Sequence, residues 1–197
     1  MAEYKLTTPL KEEDVRKLNL GDTVYITGII FTARDEAHER LIEYAEKGEK
    51  VPVNLEGAVI YHAGPIVRKK DGEWEIVAAG PTTSSRMNKA TPKVLEKYPI
   101  RMLIGKGGMS QEVLEAMKKH GVVYCQYTGG AAVLAAKNIK RVIGVEWLDL
   151  GIPEALWILE VENFGPLTVT MDAKGNSIYE KLKQEQKKIL ERLLSQL

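Results

Sequence analysis

The middle of the sequence alternates short apolar segments with amphipathic ones, and this order restricts the fold more than any other feature. Apolar segments of strand length lie at 23–30, 57–62, 101–105 and 122–127. The segments between them carry apolar residues at helical spacing, and these lie at 31–50, 91–98 and 110–121. Strands that alternate with helices are typical of an α/β sheet. We therefore expect an α/β fold.

Capping residues indicate where several of these elements begin and end. The first long helix has Thr32 as a candidate N-cap, Asp35 as its capping-box partner and Gly48 as its end. Ser110 and Gly121 bracket a later helix in the same way. These signals predict helices of ordinary length for a globular protein.

The second half of the sequence predicts more β structure and a terminal helix. Predicted strands lie at 73–79, 140–147, 155–163 and 167–180, and the last of them runs into a turn. Thr128-Gly129-Gly130 is predicted to open a helix of small residues. An amphipathic helix over about 178–197 ends the sequence, and we expect it to pack on its own domain rather than dock a partner. The prediction is one domain over residues 1–197.

Composition excludes several classes of function. The formal net charge is +1, so binding of nucleic acid through an excess of basic residues is not expected. No apolar run is long enough to span a bilayer, and the N-terminus lacks an apolar signal region, so we expect a cytoplasmic protein. The single cysteine, Cys125, lies in an apolar segment and is expected to be a buried thiol rather than a nucleophile. It and the three histidines show no metal-ligand spacing, so a metal would have to come from another chain.

Four predicted strands end in loops rich in glycine or hydroxyl residues, and three of these loops carry one cation. Arg34 follows the strand at 23–30, Arg86 follows the hydroxyl run Thr82–Ser85, and Lys106 lies in a Gly-Lys-Gly-Gly loop. In open α/β sheets, ligands bind beyond the carboxyl ends of strands. The fourth loop holds Thr128-Gly129-Gly130.

Three converging cations would suit a dicarboxylate better than a single phosphate. The alternative is that Arg34 pairs with Asp35 or Glu36 on the surface and that Arg86 is an exposed side chain on a Ser/Thr turn. The Gly-Lys-Gly-Gly loop does not have the Walker A spacing. Except for Asp35, no carboxylate in these loops is an obvious base, so the residues alone give no complete catalytic set.

Several motifs in a fixed order resemble one family. "GDTVYITGIIFTARDEAHERL", "YHAGPI", "AAGPTTSSRM", "IGKGGM", "YTGGAA" and "MDAKGNSIYE" resemble the β subunits of class I (iron–sulfur) fumarate hydratase and, equally, of L(+)-tartrate dehydratase. The resemblance covers roughly residues 5–180. It implies a swivelling β/β/α domain like the mobile domain of aconitases, and reversible hydration of fumarate to L-malate.

The resemblance also implies roles for particular residues. Arg34, Arg86 and Lys106 match ligands of the substrate carboxylates, and Thr82 matches the threonine proposed in the family as catalytic base. The family keeps a histidine at the position of His38, where orienting Arg34, packing the helix and transferring a proton are all open roles. Asn88 departs from the family pattern, which more often has aspartate there; this bears on an ion pair behind the site, not on the substrate ligands.

The missing parts of the site are expected on another chain. The resemblance implies a labile [4Fe–4S] cluster held by three cysteines of an α subunit, in agreement with the single thiol here, which could not hold it. The expected partner is therefore a cysteine-rich α subunit in an α2β2 hetero-oligomer.

Two alternatives to fumarate hydration remain open at this stage. One is the β subunit of L(+)-tartrate dehydratase, whose product is oxaloacetate; fumarate is expected first because its hydration is the commoner activity of central metabolism. The other is a stand-alone module that binds an anion or nucleotide through Gly105–Gly108.

Overall fold

The computed structural model describes residues 1–195, which form strands and helices in alternation. The strands are Glu3–Thr7 (β1), Thr23–Thr32 (β2), Val59–Tyr61 (β3), Ile66–Lys70 (β4), Glu73–Ala78 (β5), Met102–Gly105 (β6), Val123–Gln126 (β7), Ile139–Glu146 (β8) and Leu156–Met171 (β9). The α-helices are Glu12–Arg16 (α1), Asp35–Lys47 (α2), Thr91–Lys97 (α3), Gln111–His120 (α4), Ala132–Lys137 (α5) and Ile178–Leu194 (α6). Short 3₁₀ turns occupy Ser84–Met87 and Leu148–Leu150.

Seven of the strands form one sheet in the order β1-β2-β3-β6-β7-β9-β8. From β1 through β7 the neighbouring strands are parallel, and β9 runs antiparallel to both β7 and β8. The long strand β9 also pairs with β2, so β2, β3, β6, β7 and β9 form a closed ring. Strands β4 and β5 make a separate antiparallel hairpin. The fold is thus mixed α/β, as the alternation predicts.

The short central strands are buried on both faces, which is the usual environment of parallel strands. Alternate residues of β3, β6 and β7 enter two different hydrophobic cores. One core contains Val59, Tyr61, Met102, Ile104, Val123 and Cys125, with residues of β9, α1 and the hairpin. The other contains Ile60, Leu103 and Tyr124, with the apolar faces of α2, α3 and α4. These central strands therefore have a core shared with β9 on one face and the helices α2, α3 and α4 on the other.

Both glycines predicted as helix ends have that role. Gly48 follows α2 and Gly121 follows α4, each with a positive φ, of 68° and 65° respectively. A left-handed residue after the last helical turn is the commonest way for a helix to end, and glycine adopts it without a Cβ penalty.

The predicted N-terminus of α2 is wrong. Thr32 is still in β2, where its hydroxyl donates to the Ala155 carbonyl and accepts from the Trp157 amide, so it joins β2 to β9. The helix begins at Asp35, and Arg34 is its N-cap. This contact between segments that are far apart in sequence keeps Thr32 in the strand, so Thr32 does not cap the helix.

Other elements also differ from the prediction. Gly129 and Gly130 lie in a turn, and α5 starts only at Ala132. The two strands predicted at 155–163 and 167–180 are one strand, β9, which passes through Gly165-Pro166 without ending. Strands β1 and β4 have no counterpart in the prediction.

The terminal helix α6 is largely free of the rest of the fold. It follows the N-cap Ser177, whose hydroxyl accepts from the Glu180 amide, and none of its residues is buried. Its apolar residues Leu182, Ile189, Leu190, Leu193 and Leu194 are about half exposed. The expectation that this helix packs on its own domain is wrong for the described part, and the last residues of the predicted range, 196–197, lie outside the described residues.

Across residues 1–195, no helix combines the length and the apolar character that crossing a bilayer requires.

The contrast between α2 and α6 gives a test of the packing. Leu41 of α2 is fully buried, so Leu41→Ala is expected to lower the free energy of unfolding by about 2–5 kcal/mol through lost contacts and a cavity. The matched exposed change, Leu190→Ala, is expected to shift it by less than about 0.5 kcal/mol. Urea unfolding of both variants measures the difference, and equal losses would contradict the exposed position of α6.

Candidate functional site

The carboxyl ends of four neighbouring parallel strands bring four loops to one edge of the sheet. Arg34 follows β2, His62 follows β3, Lys106 follows β6, and Thr128 lies two residues after β7. Because β2, β3, β6 and β7 are adjacent in the sheet, their loops are neighbours in space. The order of the strands therefore places Arg34, Lys106 and the Thr128 loop at the same edge of the sheet.

The loop that carries Thr82 and Arg86 reaches this edge by a different route. It follows β5, which belongs to the hairpin and not to the main sheet. The Thr82 amide donates to the His62 carbonyl at 2.6 Å, and the Ser84 amide donates to the Lys106 carbonyl at 3.0 Å. These backbone bonds hold the loop across the ends of β3 and β6.

Ser84 is the buried centre of this loop. Its hydroxyl lies 2.9 Å from Nδ1 of His62 and accepts a hydrogen bond of 3.0 Å from the Tyr124 hydroxyl. A Cβ at Gly105 would overlap the Ser84 hydroxyl, so glycine is required there for the close approach. One serine thus ties the loop to the ends of β3, β6 and β7.

Arg86 lies beside Asp35 of the Thr-Ala-Arg-Asp motif. Nε of Arg86 donates to Oδ1 of Asp35 at 3.0 Å, and Nη2 lies 2.9 Å from Oδ2, so the two side chains form an ion pair with one hydrogen bond. Asp35 is the first residue of α2, where a carboxylate also suits the positive end of the helix. The only carboxylate that the sequence offered as a base is therefore paired with an arginine. The Arg86 side chain is 50% exposed and keeps Nη1 free of this pair.

Arg34 pairs with a residue that sequence reasoning missed. Its Nε lies 3.2 Å from Oε1 of Glu154 and 4.0 Å from Oδ2 of Asp35. The other oxygen of Glu154 accepts from the Glu36 amide at 3.1 Å, so Glu154 also satisfies the first turn of α2. Glu154 precedes β9, and no local pattern links it to Arg34. Arg34 thus pairs with a carboxylate of its own chain, although with Glu154 rather than with the neighbouring Asp35 or Glu36 that the alternative interpretation of the sequence named.

Lys106 lies between two glycine loops. Its side chain is half-buried and makes no ion pair with any of the residues 1–195, and Gly129 of the Thr128 loop lies against its Cδ. Two residues on, the aromatic ring of Tyr179 covers Gly108 so closely that a Cβ there would overlap it. The Tyr179 hydroxyl donates to Gln126 and lies 3.3 Å from the Thr170 hydroxyl. The ammonium group is thus available to a ligand while its loop is fixed.

Thr82 has a half-buried side chain whose hydroxyl makes no hydrogen bond within the described part of the chain. Its backbone amide is fixed by His62, as described above. A hydroxyl held in place and left unpaired is free to bond a ligand at this edge of the sheet.

Two buried histidines lie behind the loops. The rings of His38 and His62 are 5.3 Å apart, and Nδ1 of His38 lies 2.8 Å from the Arg34 carbonyl. Burial lowers the pKa of His38, and burial together with the neighbouring His38 lowers the pKa of His62 well below its ordinary value. Both rings are therefore neutral at neutral pH. His38 holds the backbone of Arg34, which supports its role in orienting that residue.

Cys125 is fully buried in β7, and burial raises the pKa of its thiol. The expectation of a buried, unreactive thiol is confirmed. Within residues 1–195, no group of three or more His, Cys, Asp or Glu side chains is placed to hold a metal ion.

Asn88 connects the Arg86 loop to α4, because its Oδ1 accepts from the Ser110 amide at 3.0 Å. Aspartate, the residue expected more often at this position, could accept the same hydrogen bond. Asparagine therefore keeps the contact with Ser110 and removes one negative charge.

A separate surface depression lies away from this edge. A depression of about 440 Å³ lies between the hairpin, α5 and β8, and it is lined by residues such as Trp74, Lys137 and Val142. None of Thr82, Arg34, Arg86 and Lys106 lines it. Of the three cations of the candidate site, Arg86 is half exposed, Lys106 is half-buried and Arg34 is mostly buried.

The role of Ser84 predicts a difference between two adjacent serines. Ser84→Ala leaves the Tyr124 hydroxyl and Nδ1 of His62 without their partner, and should lower the free energy of unfolding by about 1–3 kcal/mol. Ser85→Ala, at an exposed position, is the matched control and should change it by less than about 0.5 kcal/mol. Urea unfolding decides, and similar values for the two variants would contradict the proposed anchor.

The buried histidines predict a dependence of stability on pH. Their folded-state pKa values lie below the unfolded value of about 6.5, so as pH falls below about 6.5 the unfolded chain binds protons that the folded chain does not. The free energy of unfolding should fall by up to about 1.4 kcal/mol per pH unit for each histidine. Urea unfolding between about pH 7.5 and about pH 5 measures the slope, and a flat profile would contradict neutral burial. His62→Gln should reduce it.

Comparison with known proteins assigns the chain to a family. Residues 1–182 match the family described as Fumarase C-terminus. A putative L(+)-tartrate dehydratase subunit beta of Methanocaldococcus jannaschii is 50% identical over 185 residues, 93% of each chain. The L(+)-tartrate dehydratase subunit beta of Escherichia coli is 42% identical over 173 residues, 88% of this chain and 85% of the relative.

A third relative has a different organisation. A putative fumarate hydratase class I of Geobacillus stearothermophilus is 46% identical over 180 residues, which are 91% of this chain but 34% of the relative. The present chain thus corresponds to about a third of that longer protein. From the match over residues 1–182 and these identities, the chain belongs to the Fumarase C-terminus family.

Proposed function

We propose that this chain is the β subunit of a two-subunit hydro-lyase that hydrates fumarate reversibly to L-malate. The observation that carries the proposal is the convergence of Arg34, Arg86, Lys106 and Thr82 at the carboxyl edge of the parallel strands. The relatives support the reaction class, because their names are those of dehydratases and a hydratase.

The cations would bind the two carboxylates of the substrate. Glu154 lies beside Nε of Arg34, and Asp35 lies beside Nε and Nη2 of Arg86, which leaves Nη1 of Arg86 and both Nη groups of Arg34 to a ligand. Glu154 and Asp35 therefore orient the arginines without using all their donors. Lys106 adds a third positive charge that is not neutralised by residues 1–195. Three cations along one edge of the sheet would suit a substrate that carries two separate carboxylates.

Thr82 would hold or move the proton at its Oγ1. An isolated threonine is a very weak base, so this role requires a charged neighbour and a site from which water is excluded. No free carboxylate of the described residues is placed to help, because Asp35 pairs with Arg86 and Glu154 with Arg34. We propose that the charged neighbour comes from the α subunit.

The residues of this chain do not fit an iron–sulfur cluster. Such a cluster needs several thiolates, and the one thiol here is buried with a raised pKa. The [4Fe–4S] cluster of the proposed enzyme therefore belongs to the α subunit. What this chain contributes is carboxylate binding and a proton-transferring hydroxyl.

The comparisons support a partner chain. Two of the relatives are named as subunits. In the longer relative the matching part is 34% of the sequence, so the sequence outside it is about twice as long as the matching part. We propose that a separate, cysteine-rich α subunit supplies the equivalent of that additional sequence in an α2β2 assembly. The whole chain would act as one swivelling domain of the aconitase type in the cytoplasm, moving against its partner.

L(+)-tartrate is the second candidate substrate. The relatives that match along most of their own length are named for tartrate dehydratase, whereas the relative named for fumarate hydratase is a longer single chain. The stand-alone nucleotide-binding module is less well supported, because Tyr179 covers Gly108 and closes the glycine loop that would cradle a phosphate.

Reconstitution with an α chain tests the proposal. This chain alone should be inactive. Co-expression with a candidate α chain under anaerobic conditions should give hydration of fumarate, with malate and L(+)-tartrate assayed in parallel. Thr82→Val, which keeps the shape and removes the hydroxyl, should lower kcat by about 10²–10⁴-fold, while Thr82→Ser should retain much of it. Arg86→Ala should lower kcat/KM by about 10- to 100-fold.

Arg141→Ala is the control for the arginine variant. Arg141 also pairs through Nε with a carboxylate, that of Glu160, but it lies on β8 away from the site. It should leave kcat/KM unchanged. Wild-type activity of Arg86→Ala or Thr82→Val would overturn the assigned roles, and preference for tartrate would replace fumarate as the substrate.

A further inference from the structure

Four exposed apolar side chains lie on two elements beside the candidate site, the β4–β5 hairpin and α5. Ile66 of β4 and Val77 of β5 are 64% and 41% exposed, and Val133 and Leu134 of α5 are 61% and 52% exposed. We refer to these four residues as the hairpin–α5 patch. Single exposed apolar residues are ordinary on a protein surface, but a cluster of them commonly marks an interaction site.

The local structure turns these side chains outward. Ile66 pairs with Ala78 and Val67 pairs with Ile76, so Val77 is the extra residue of a β-bulge opposite Ile66. The neighbouring Val67 and Ile76 pack against the core. In α5, Ala135 is the residue that is buried, which leaves Val133 and Leu134 on the outer face. The inward positions are filled, so the outward ones have no partner within residues 1–195.

The hairpin and α5 meet at one depression. Val77 and Val133 line a shallow hollow of about 280 Å³, together with Arg68, Glu75 and Lys137. Arg68 and Glu75 form a bidentate ion pair at its border. An apolar centre with a charged rim is the usual anatomy of a protein–protein interface.

The patch is continuous with the candidate site. The Ala79 amide donates to the Ala132 carbonyl at 3.0 Å, so the strand that leads to Thr82 is bonded to the first residue of α5. On the other side, α5 follows the loop whose Gly129 lies against Lys106. At the hairpin, Ile66 comes two residues after Gly64, which lies against Nη1 of Arg34.

We infer that the hairpin–α5 patch is a docking surface for the α subunit, an inference that rests on the proposed function. On the proposed function, the α subunit supplies the groups that the three cations and the Thr82 hydroxyl do not supply, and to do so it reaches the same edge of the sheet. A chain that covers the site from this side also covers the patch next to it. A second copy of the present chain would bring another set of cations to this edge, which like-charge repulsion opposes.

The test is binding of the α chain that restores activity in the reconstitution assay. The double variant Val133→Glu/Leu134→Glu should raise the Kd for that chain by about 30-fold or more, because it buries two charges at the centre of the contact. Ile66→Glu, on a different element, should weaken binding in the same direction. All these positions are exposed, so urea unfolding should show native stability.

The matched control is Leu190→Glu/Leu193→Glu on α6, which changes two equally exposed leucines far along the terminal helix. It should leave the Kd unchanged. If it abolishes binding and the patch variants bind as the wild type does, α6 is the docking surface and the inference is overturned. Sedimentation of the chain alone checks self-association, and a dimer broken by the patch variants would also overturn it. If no α chain restores activity, the proposed function fails and this inference fails with it.

Discussion

Burial of the central strands on both faces is the constraint on which the rest of the structure depends. Because β3, β6 and β7 have helices on one side and further β structure on the other, ligands can meet these strands only at their ends. Their parallel direction places consecutive loops at one edge. The loop with Thr82 and Arg86 comes from outside the sheet, and the buried Ser84 fixes it to that edge. The geometry of the site is thus a consequence of packing within the core.

Charge balance inside the site is the second organising feature. Arg34 with Glu154, and Arg86 with Asp35, are two ion pairs at the N-terminus of α2. Each carboxylate also lies at the positive end of that helix, so it is stabilised twice. Two arginines held in this way have already lost side-chain freedom in the free protein, so a ligand that binds them would not have to offset that loss. Lys106 remains the cation with no counter-charge among residues 1–195, which gives the edge a net attraction for anions.

Local signals in the sequence predicted the alternation of strands and helices. Contacts between segments that are far apart in sequence could not be predicted from them. The alternation of strands and helices and the glycines after α2 and α4 are short-range properties, and they are confirmed. Thr32 was misread because its hydroxyl bridges to β9, more than a hundred residues away in sequence. Glu154 could not be found for the same reason. The family match confirms the resemblance read from the ordered motifs, which supplied residue roles that spacing alone left open.

Tyr179 gives the first turn of α6 a contact with the lysine loop that the later turns of the helix do not have. Its ring lies on Gly108 in the lysine loop, although it belongs to a helix that is otherwise exposed. The part of the chain that matches the family ends at residue 182, just after this contact. The first turn of α6 therefore belongs to the wall of the site, while the remaining turns form an appendage. A change in the length or the exposed face of those later turns leaves the contact of Tyr179 with the lysine loop in place.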